Sequence, residues 1–197
     1  MGKRGLLNFR FVLFTSGLLL LVMFTLPSYS VDTYSIIKNT TSHLGAQNST
    51  NAWVMNLTFM LVGVSCLLEA WLHMKEFWFQ KILLSVFGLG LVLTGLFRHA
   101  PIIKGVSFNP VEDNLHSIFA SIVGFSFTVY AISSAFIEKE SKHKVMDIMV
   151  GVTVTVLSLL MGYLPDYSGV WQRAIFVISF TWLVFMLERT RFFNQTV

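Results

Sequence analysis

Six long apolar stretches, separated by polar segments, account for most of the chain. They cover residues 9–29, 53–74, 78–97, 116–137, 145–164 and 170–188. Each is close to the roughly 20 residues that a helix needs to cross a bilayer, and a helix satisfies its own backbone hydrogen bonds in lipid. The pattern predicts an all-α polytopic membrane protein, a bundle of six transmembrane helices. Two long loops, at 30–52 and 98–115, would lie on one side of the membrane.

The composition agrees with this architecture. Of the 197 residues, 54% are hydrophobic and only 12% are charged, whereas charged residues make up about 25% of soluble domains. Because the spans and their connections use nearly the whole length, we expect a single transmembrane domain over residues 1–197. The first stretch follows Lys3 and Arg4, as a secretory signal would, but its apolar run is too long for one, and we expect an uncleaved helix.

The basic residues are unevenly distributed between the two sides. If both termini are cytoplasmic, only Lys38, Arg98, Lys104 and Arg173, of the 14 Lys and Arg residues, fall on the opposite side. This excess follows the positive-inside rule, so the formal charge of +4 indicates topology and not nucleic-acid binding. We therefore expect a multi-pass protein of the cell membrane with cytoplasmic N and C termini and both long loops on the non-cytoplasmic side.

Small residues recur on one face of two predicted helices. They are Gly88 and Gly95 in the third stretch, and Ser117, Ser121, Gly124 and Thr128 in the fourth. Small faces let transmembrane helices pack closely, so we expect the third and fourth helices to lie in the centre of the bundle. Alternatively, the face of the fourth helix lines a polar groove that leads down from the outer surface.

Polar residues gather near the outer ends of the predicted helices. The candidates for a binding site are Ser42, Asn56, Arg98, His116, Asp166, Gln172 and Arg173. Polar groups at the membrane boundary are costly unless they have partners or lie in a wet cavity. The pattern therefore predicts one shared polar network at the outer end.

Each charged candidate also has a simpler interpretation. Arg98 and Arg173 either clamp an anion such as a lipid headgroup or extend toward lipid phosphates. His116 is a candidate acid–base catalyst, since an unperturbed histidine has a pKa near ~6.5, or it merely begins a helix. Asp166 is a counter-ion for Arg173 or an ordinary turn residue.

The sequence does not favour a metal site or a cofactor. His43, His99 and His116, with a nearby carboxylate, would be a plausible zinc ligand set, but no pair has the HxxH or HxxxH spacing. Ser42 lacks the G-x-S-x-G surroundings of a hydrolase nucleophile. We therefore expect neither a metal nor a cofactor.

Glu69 and His73 form a separate pair near the predicted cytoplasmic end of the second stretch. Their i, i+4 spacing lets the side chains touch. We interpret Glu69 as the only acidic residue clearly within a span, which makes it either a paired structural group or a functional one. Without further buried carboxylates, a proton-coupled role is not predicted.

Several short motifs occur in a characteristic order. They are Ser42-His43-Leu44-Gly45, Asn51 to Asn56, Gly95-Leu96-Phe97, His116, and Gly169 to Arg173. In these the chain resembles the domain of unknown function 998 family of bacterial and archaeal six-helix membrane proteins. The resemblance implies the six-helix fold and assigns its motif positions to Ser42, Gly45, Asn56, Gly95, His116, Gln172 and Arg173. The chain departs from the family pattern at one place: relatives have Phe-Pro, whereas Phe97 is followed here by Arg98 and His99.

Three functions remain open at this point. The first is a transport-like or accessory membrane protein that binds an anionic lipid headgroup or a small anion at the outer face. The second is a structural or sensor subunit whose outer polar cluster latches the helices together. The third is an intramembrane enzyme that acts on a lipid or isoprenoid, with His116 as its acid–base group. The sequence leaves the ligand and the oligomeric state open.

Overall fold

The computed structural model describes residues 10–74 and 76–195 of the chain, with side chains described as far as Arg191. Seven α-helices are present in these ranges, and no strand is. They are α1 Phe11–Thr25, α2 Thr41–Leu44, α3 Ala52–His73, α4 Trp78–Leu96, α5 Pro110–Ser134, α6 Ser141–Tyr163 and α7 Ser168–Gln195. A 3-10 turn at Leu26–Tyr29 extends α1, and another at Pro165–Tyr167 precedes α7.

Six of these helices are long and apolar enough to cross a membrane. Only α2, a single turn in the first long loop, is not. For the described residues, the prediction of an all-helical chain with six helices that could span a membrane is therefore confirmed. We call the end of the bundle with α2 and the segments 26–51 and 97–109 the loop end. The opposite end, where α1 begins and α7 finishes, is the termini end.

The start of α5 differs from the sequence-based prediction. The helix begins at Pro110 and not at His116, because Asn109 caps it and a proline is well suited to the first helical position. The Asn109 side chain accepts hydrogen bonds from the backbone N–H groups of Val111 and Glu112, at 3.0 and 3.3 Å. The second long loop is therefore shorter than 98–115, and His116 lies one to two turns inside the helix.

Close backbone contact between α3 and α4 forms the centre of the bundle. Gly63 and Gly88 each lie against the other's carbonyl oxygen, and Gly95 lies against the carbonyl oxygen of Asn56. A larger side chain at any of these glycines would collide with backbone, which explains why small residues stand here. Half of the apolar window of α3 and 44% of that of α4 are buried. The predicted central position of the third stretch agrees with this packing.

The predicted central position of the fourth stretch is wrong. Only 28% of the apolar window of α5 is buried, and Ser117 and Ser121 are exposed. A Cβ atom added to Gly124 would meet nothing within 4 Å. The reason is that the small-residue face of α5 borders open space and not a neighbouring helix.

A layer of aromatic rings fills the middle of the bundle. Phe87 lies 5.7 Å from Phe127 and 6.1 Å from Phe180, measured between ring centroids. Trp182 contacts Phe127 and Tyr130 edge-on, at 5.5 and 5.6 Å. Such edge-on and tilted contacts suit the quadrupoles of the rings. The layer separates two polar regions, one at each end of the bundle.

Candidate functional site

Arg173 on α7 holds the first long loop at the loop end. Its side chain is buried, and one amino group donates to the carbonyl oxygens of Ile36, Asn39 and Gly169, at 2.9, 3.1 and 3.0 Å. The other donates to the Tyr34 hydroxyl at 2.6 Å. Burial raises the pKa of Tyr34, and the nearby guanidinium opposes that rise. Both amino groups of Arg173 are thus engaged within the protein.

Gly169 allows the loop to approach α7 this closely. The carbonyl oxygens of Ile36, Ile37 and Asn39 all lie where a side chain at position 169 would project. The Val170 N–H donates to the Ile37 carbonyl at 3.2 Å. The first turn of α7 therefore supplies the glycine, a backbone donor and the guanidinium that bind the loop.

Gln172 ties α2 to α7 from the adjacent position. Its Oε1 accepts from the backbone N–H and the hydroxyl of Thr41, at 2.7 and 2.6 Å. Ser42, the next residue of α2, is buried. Gln172 and Ser42 line the same cavity, described below.

Asn56 joins the first loop to α3. Its Nδ2 donates to the Gly45 carbonyl at 2.9 Å, and its amide occupies the space that a Gly45 side chain would need. Its backbone carbonyl lies against Gly95 of α4. Three positions of the sequence motifs, Gly45, Asn56 and Gly95, therefore pack as one contact chain from the loop to α4.

His116 closes the end of α4. Its Nδ1 lies 3.0 Å from the Thr94 carbonyl and 2.8 Å from the Phe97 carbonyl. Because carbonyl oxygens only accept, Nδ1 carries the proton. A helix leaves its last carbonyls without intrahelical partners, and His116 satisfies two of them. The ring is 2% exposed and does not line the cavity.

The rings of the three loop-end histidines contact one another, one pair tilted and the other edge-on. The His99 ring lies 4.6 Å from that of His43 and 5.2 Å from that of His116, between centroids. Burial, with the neighbouring imidazoles, lowers the pKa of His43 to about 4. In the described part of the chain, no group of three or more His, Cys, Asp or Glu side chains is arranged to hold a metal ion.

Arg98 and Asp166 lie apart from this cluster, on the surface. Arg98 pairs with Glu112 through two hydrogen bonds of 2.9 and 3.3 Å, which raise the pKa of the arginine. Asp166 is exposed and lies 3.3 Å from Lys38. The interpretation of Asp166 as the counter-ion of Arg173 is therefore wrong, since the Arg173 amino groups are bound to carbonyls and a hydroxyl.

A cavity of about 640 Å³ opens between the helices at the loop end. We call it the loop-end cavity. It is lined by Ser42 and by side chains of α3, α4, α5, α6 and α7. Phe59, Phe87, Phe127, Phe176 and Phe180 form its aromatic floor. Phe125, one of the lining residues, is 74% exposed, so the wall of the cavity reaches the outer surface of the bundle.

The cavity exists because α5 and α6 diverge toward the loop end. Near the termini end, Gly151 of α6 lies against the Ile132 side chain and the Thr128 carbonyl of α5. Nearer the loop end, Gly124 has no such contact. The face with Ser121, Gly124 and Thr128 lines the cavity, which agrees with the alternative interpretation of these residues as a groove.

Two hydroxyl groups in the cavity wall stand out. Thr94 and Ser179 are each 4% exposed, and their hydroxyl oxygens have no hydrogen-bond partner among the described residues. In contrast, Ser121, Thr155 and Ser158 in the same wall donate to carbonyls of their own helices. A buried hydroxyl without a partner is costly, so Thr94 and Ser179 would gain from a hydrogen-bond partner, although neither hydroxyl oxygen has surface exposed to the cavity.

The termini end carries a different polar region. Glu69 on α3, 1% exposed, accepts from Arg191 of α7 with both carboxylate oxygens at 2.7 Å and lies 2.7 Å from His73 Nδ1. Glu188 lies 2.9 Å from Arg10 beside α1. Buried and partly buried ion pairs thus tie α7 to α3 and α1.

A second buried group at this end was not predicted. Asp147 of α6 is completely buried and accepts from Trp182 and Arg189 of α7, each at 2.8 Å. Arg189 also lies 3.1 Å from the buried carboxylate of Glu138. The interpretation of Glu69 as the only acidic residue within a span is therefore wrong. Asp147 lies inside the fifth apolar stretch, two residues from its predicted start, where its burial was not anticipated.

Gln47 is a loop-end residue that the sequence did not single out. Its amide donates to the carbonyls of Arg98 and Asn109 and accepts from the Asn109 N–H, at 3.2, 3.0 and 2.8 Å. It thereby joins the two long loops. Neither Gln47 nor Ser179 stands in a recognisable motif, although the position of Ser179 seven residues after Gln172 places both near one face of α7.

Comparison with known proteins gives one match. A family described as "Protein of unknown function (DUF998)" matches residues 14–187, which is most of the chain. No curated protein and no solved structure matches the chain. The match spans the helices that form the loop-end cavity, whereas Arg10, Glu188, Arg189 and Arg191 of the termini-end ion pairs lie outside the matched residues. The chain therefore belongs to this family of proteins of unknown function.

Proposed function

We propose that this protein binds a membrane lipid, whose apolar chain enters the loop-end cavity. It forms a single transmembrane domain in the cell membrane, with both termini in the cytoplasm and the loop end on the non-cytoplasmic side. The support for this orientation is the excess of Lys and Arg on the termini side of the sequence.

The cavity itself is the observation that carries the proposal. Its volume of about 640 Å³ lies within the roughly 300–1,000 Å³ of small-molecule sites. Its wall is mainly aromatic and aliphatic, with Ser42, Thr94 and Gln172 near the loop end. A mainly apolar wall with uncharged hydroxyl and amide groups, some as deep as Ser179, matches an amphiphile that enters with its chain along the helices.

In this proposal Arg173 is a latch and not the anion clamp considered from the sequence. Its amino groups already bind carbonyls of the first loop and the Tyr34 hydroxyl. An anion would have to replace these bonds. The first loop therefore closes the loop end over the cavity, and Gln172 and Arg173 hold it there. The polar cluster thus has the latching role considered in the sequence analysis, and in this proposal the latched loop covers the ligand site.

The enzyme hypothesis with His116 gains no support from this arrangement. A catalytic acid–base group must come within hydrogen-bond reach of the substrate. The His116 ring is 2% exposed, binds two backbone carbonyls and does not line the cavity.

A pair of glycine substitutions tests lipid binding. Gly124→Leu places a bulky side chain in open cavity space, where a Cβ meets nothing within 4 Å. Gly17→Leu is the matched control, because it too has open space and lies in the middle of α1, away from the cavity. We expect lipid that co-purifies with the wild-type protein, measured by native mass spectrometry, to be lost in Gly124→Leu and retained in Gly17→Leu. Equal retention in both variants would refute the proposal.

A further inference from the structure

Given the lipid binding proposed above, on which this step depends, we propose that the ligand is an uncharged amphiphile with a single chain. Its polar group, a hydroxyl or a carbonyl, hydrogen-bonds Thr94 or Ser179 in the cavity wall once that side chain rotates toward the cavity. Anionic phospholipids and free anions are thereby excluded as the ligand that enters the cavity.

The first reason is the absence of charge in the wall. None of the described residues that line the cavity is Asp, Glu, Lys, Arg or His. A charged headgroup would lose its water there without gaining a counter-ion, which costs far more than burying a neutral polar group that finds a hydrogen bond. A neutral head is therefore the one that this wall accommodates.

The second reason is that both amino groups of Arg173, and two donors of Arg98, already bind groups of the protein. Arg173 binds three backbone carbonyls and the Tyr34 hydroxyl. Arg98 forms a two-point pair with Glu112. An anionic head at the mouth of the cavity would have to break one of these arrangements before it could be bound.

The third reason is the pair of buried hydroxyls without partners. The Thr94 and Ser179 oxygens are covered by the protein, but both residues line the cavity, so either hydroxyl can meet the ligand through a change of rotamer. A hydroxyl can donate and accept, so each can bind either an alcohol or a carbonyl. Ser179 lies about two helical turns, roughly 10 Å, from Gln172 along α7. A polar group can therefore be bound at the loop end of the cavity or deeper within it.

The volume favours one chain. The cavity of about 640 Å³ is the size of a site for one small molecule. A fatty or isoprenoid alcohol has about this size, whereas a phospholipid with two chains is far larger.

Oleyl alcohol and oleyl phosphate form a matched pair of probes, because they share one chain and differ in the charge of the head. Binding of each to the full chain in detergent is measured by native mass spectrometry at a pH at which the phosphate is ionised. We expect the alcohol to bind about tenfold more tightly than the phosphate, the factor that corresponds to ~1.4 kcal/mol. Equal or tighter binding of the phosphate would overturn the inference and leave lipid binding intact.

Hydroxyl variants locate the polar group. Thr94→Val and Ser179→Ala remove the partnerless hydroxyls, whereas Ser158→Ala is the control, since that cavity-lining hydroxyl bonds to its own helix. We expect at least one of the first two to weaken alcohol binding by about tenfold, as for the loss of one hydrogen bond, and the control to leave it unchanged. Unchanged binding in both test variants would overturn the assignment of these hydroxyls. Binding of neither probe to the wild-type protein would instead refute lipid binding itself.

Discussion

The two ends of the bundle use arginine in opposite ways. At the loop end, Arg173 binds backbone carbonyls and a tyrosine hydroxyl and so holds a loop in place. At the termini end, Arg189 and Arg191 are paired with the buried carboxylates of Asp147 and Glu69. Both sets of groups are buried, but only the second joins opposite charges across helices.

This difference between the two ends indicates which of them can open more easily. Breaking a buried ion pair leaves a charge without a partner, whereas a loop carbonyl that loses its donor can be hydrated if the loop moves away. The termini end is therefore the fixed part of the molecule. The loop-end cavity lies at the other end, which is where we expect a ligand to enter.

The largest effect is expected from breaking the termini-end network. Arg189→Leu would leave the carboxylates of Asp147 and Glu138, which are 0% and 4% exposed, without their guanidinium. We expect the free energy of unfolding to fall by about 3–5 kcal/mol, measured by denaturation in SDS micelles followed by circular dichroism. Lys142→Gln is the control because its pair with Glu140 is exposed, and it should leave stability unchanged. If Arg189→Leu leaves the free energy of unfolding unchanged, the buried ion pairs do not stabilise the termini end.

A smaller and more local effect is expected at the loop end. Arg173→Met removes the donors to the carbonyls of Ile36, Asn39 and Gly169, and we expect a loss of about 2–3 kcal/mol. Hydrogen exchange should increase in residues 30–51 and stay unchanged in the termini-end half of α7. If exchange rises equally throughout α7, the two ends are not independent and the comparison fails.

Acid should loosen the loop end through His43. Its folded-state pKa, about 4, is below the unfolded value of ~6.5, so the unfolded chain takes up the proton first. The stability contributed by the neutral ring is complete above pH 6.5 and is lost as the pH falls toward 4. The melting temperature of the wild type should therefore drop over this range more steeply than that of His43→Gln. Glutamine keeps the capping-box acceptor for the Thr40 N–H, so equal slopes would exclude His43 as the group responsible.

The smallest effect is expected for Arg98. Its side chain is 50% exposed in the pair with Glu112, and exposed pairs contribute about 0–1 kcal/mol. Arg98→Met should change the melting temperature far less than Arg173→Met does. A comparable loss in both variants would mean that burial does not distinguish the two loop-end arginines.

The sequence predicted the helices well because their signal is local. Apolar runs of sufficient length indicate membrane spans directly, and the six helices follow them closely. The main error in the boundaries, the start of α5, arose because the apolar run begins at His116 while the cap that starts the helix, Asn109 with Pro110, lies in polar sequence. Hydrophobicity indicates the membrane-spanning part of a helix, but capping residues decide where the helix begins.

The hydrogen-bond and ion-pair partners of the polar residues could not be predicted from the sequence, because tertiary contacts determine them. Arg173 was correctly placed at the loop end, yet its acceptors are carbonyls of residues 36 and 39, which any sequence would supply. Asp147 was overlooked because its partners, Trp182 and Arg189, stand on another helix. The small face of α5 indicated either close packing or a groove, and only the divergence of α5 from α6 decides between them.

Photolabelling tests the central claim most directly. A diazirine analogue of oleyl alcohol, irradiated with the full chain in detergent and mapped by peptide mass spectrometry, should label the segments 120–128 and 172–180 that line the cavity. The labelling should disappear in Gly124→Leu and persist in Gly17→Leu. Labelling confined to the exposed face of α1, at residues such as Phe14 and Leu21, and equal in both variants would contradict a lipid site in the loop-end cavity.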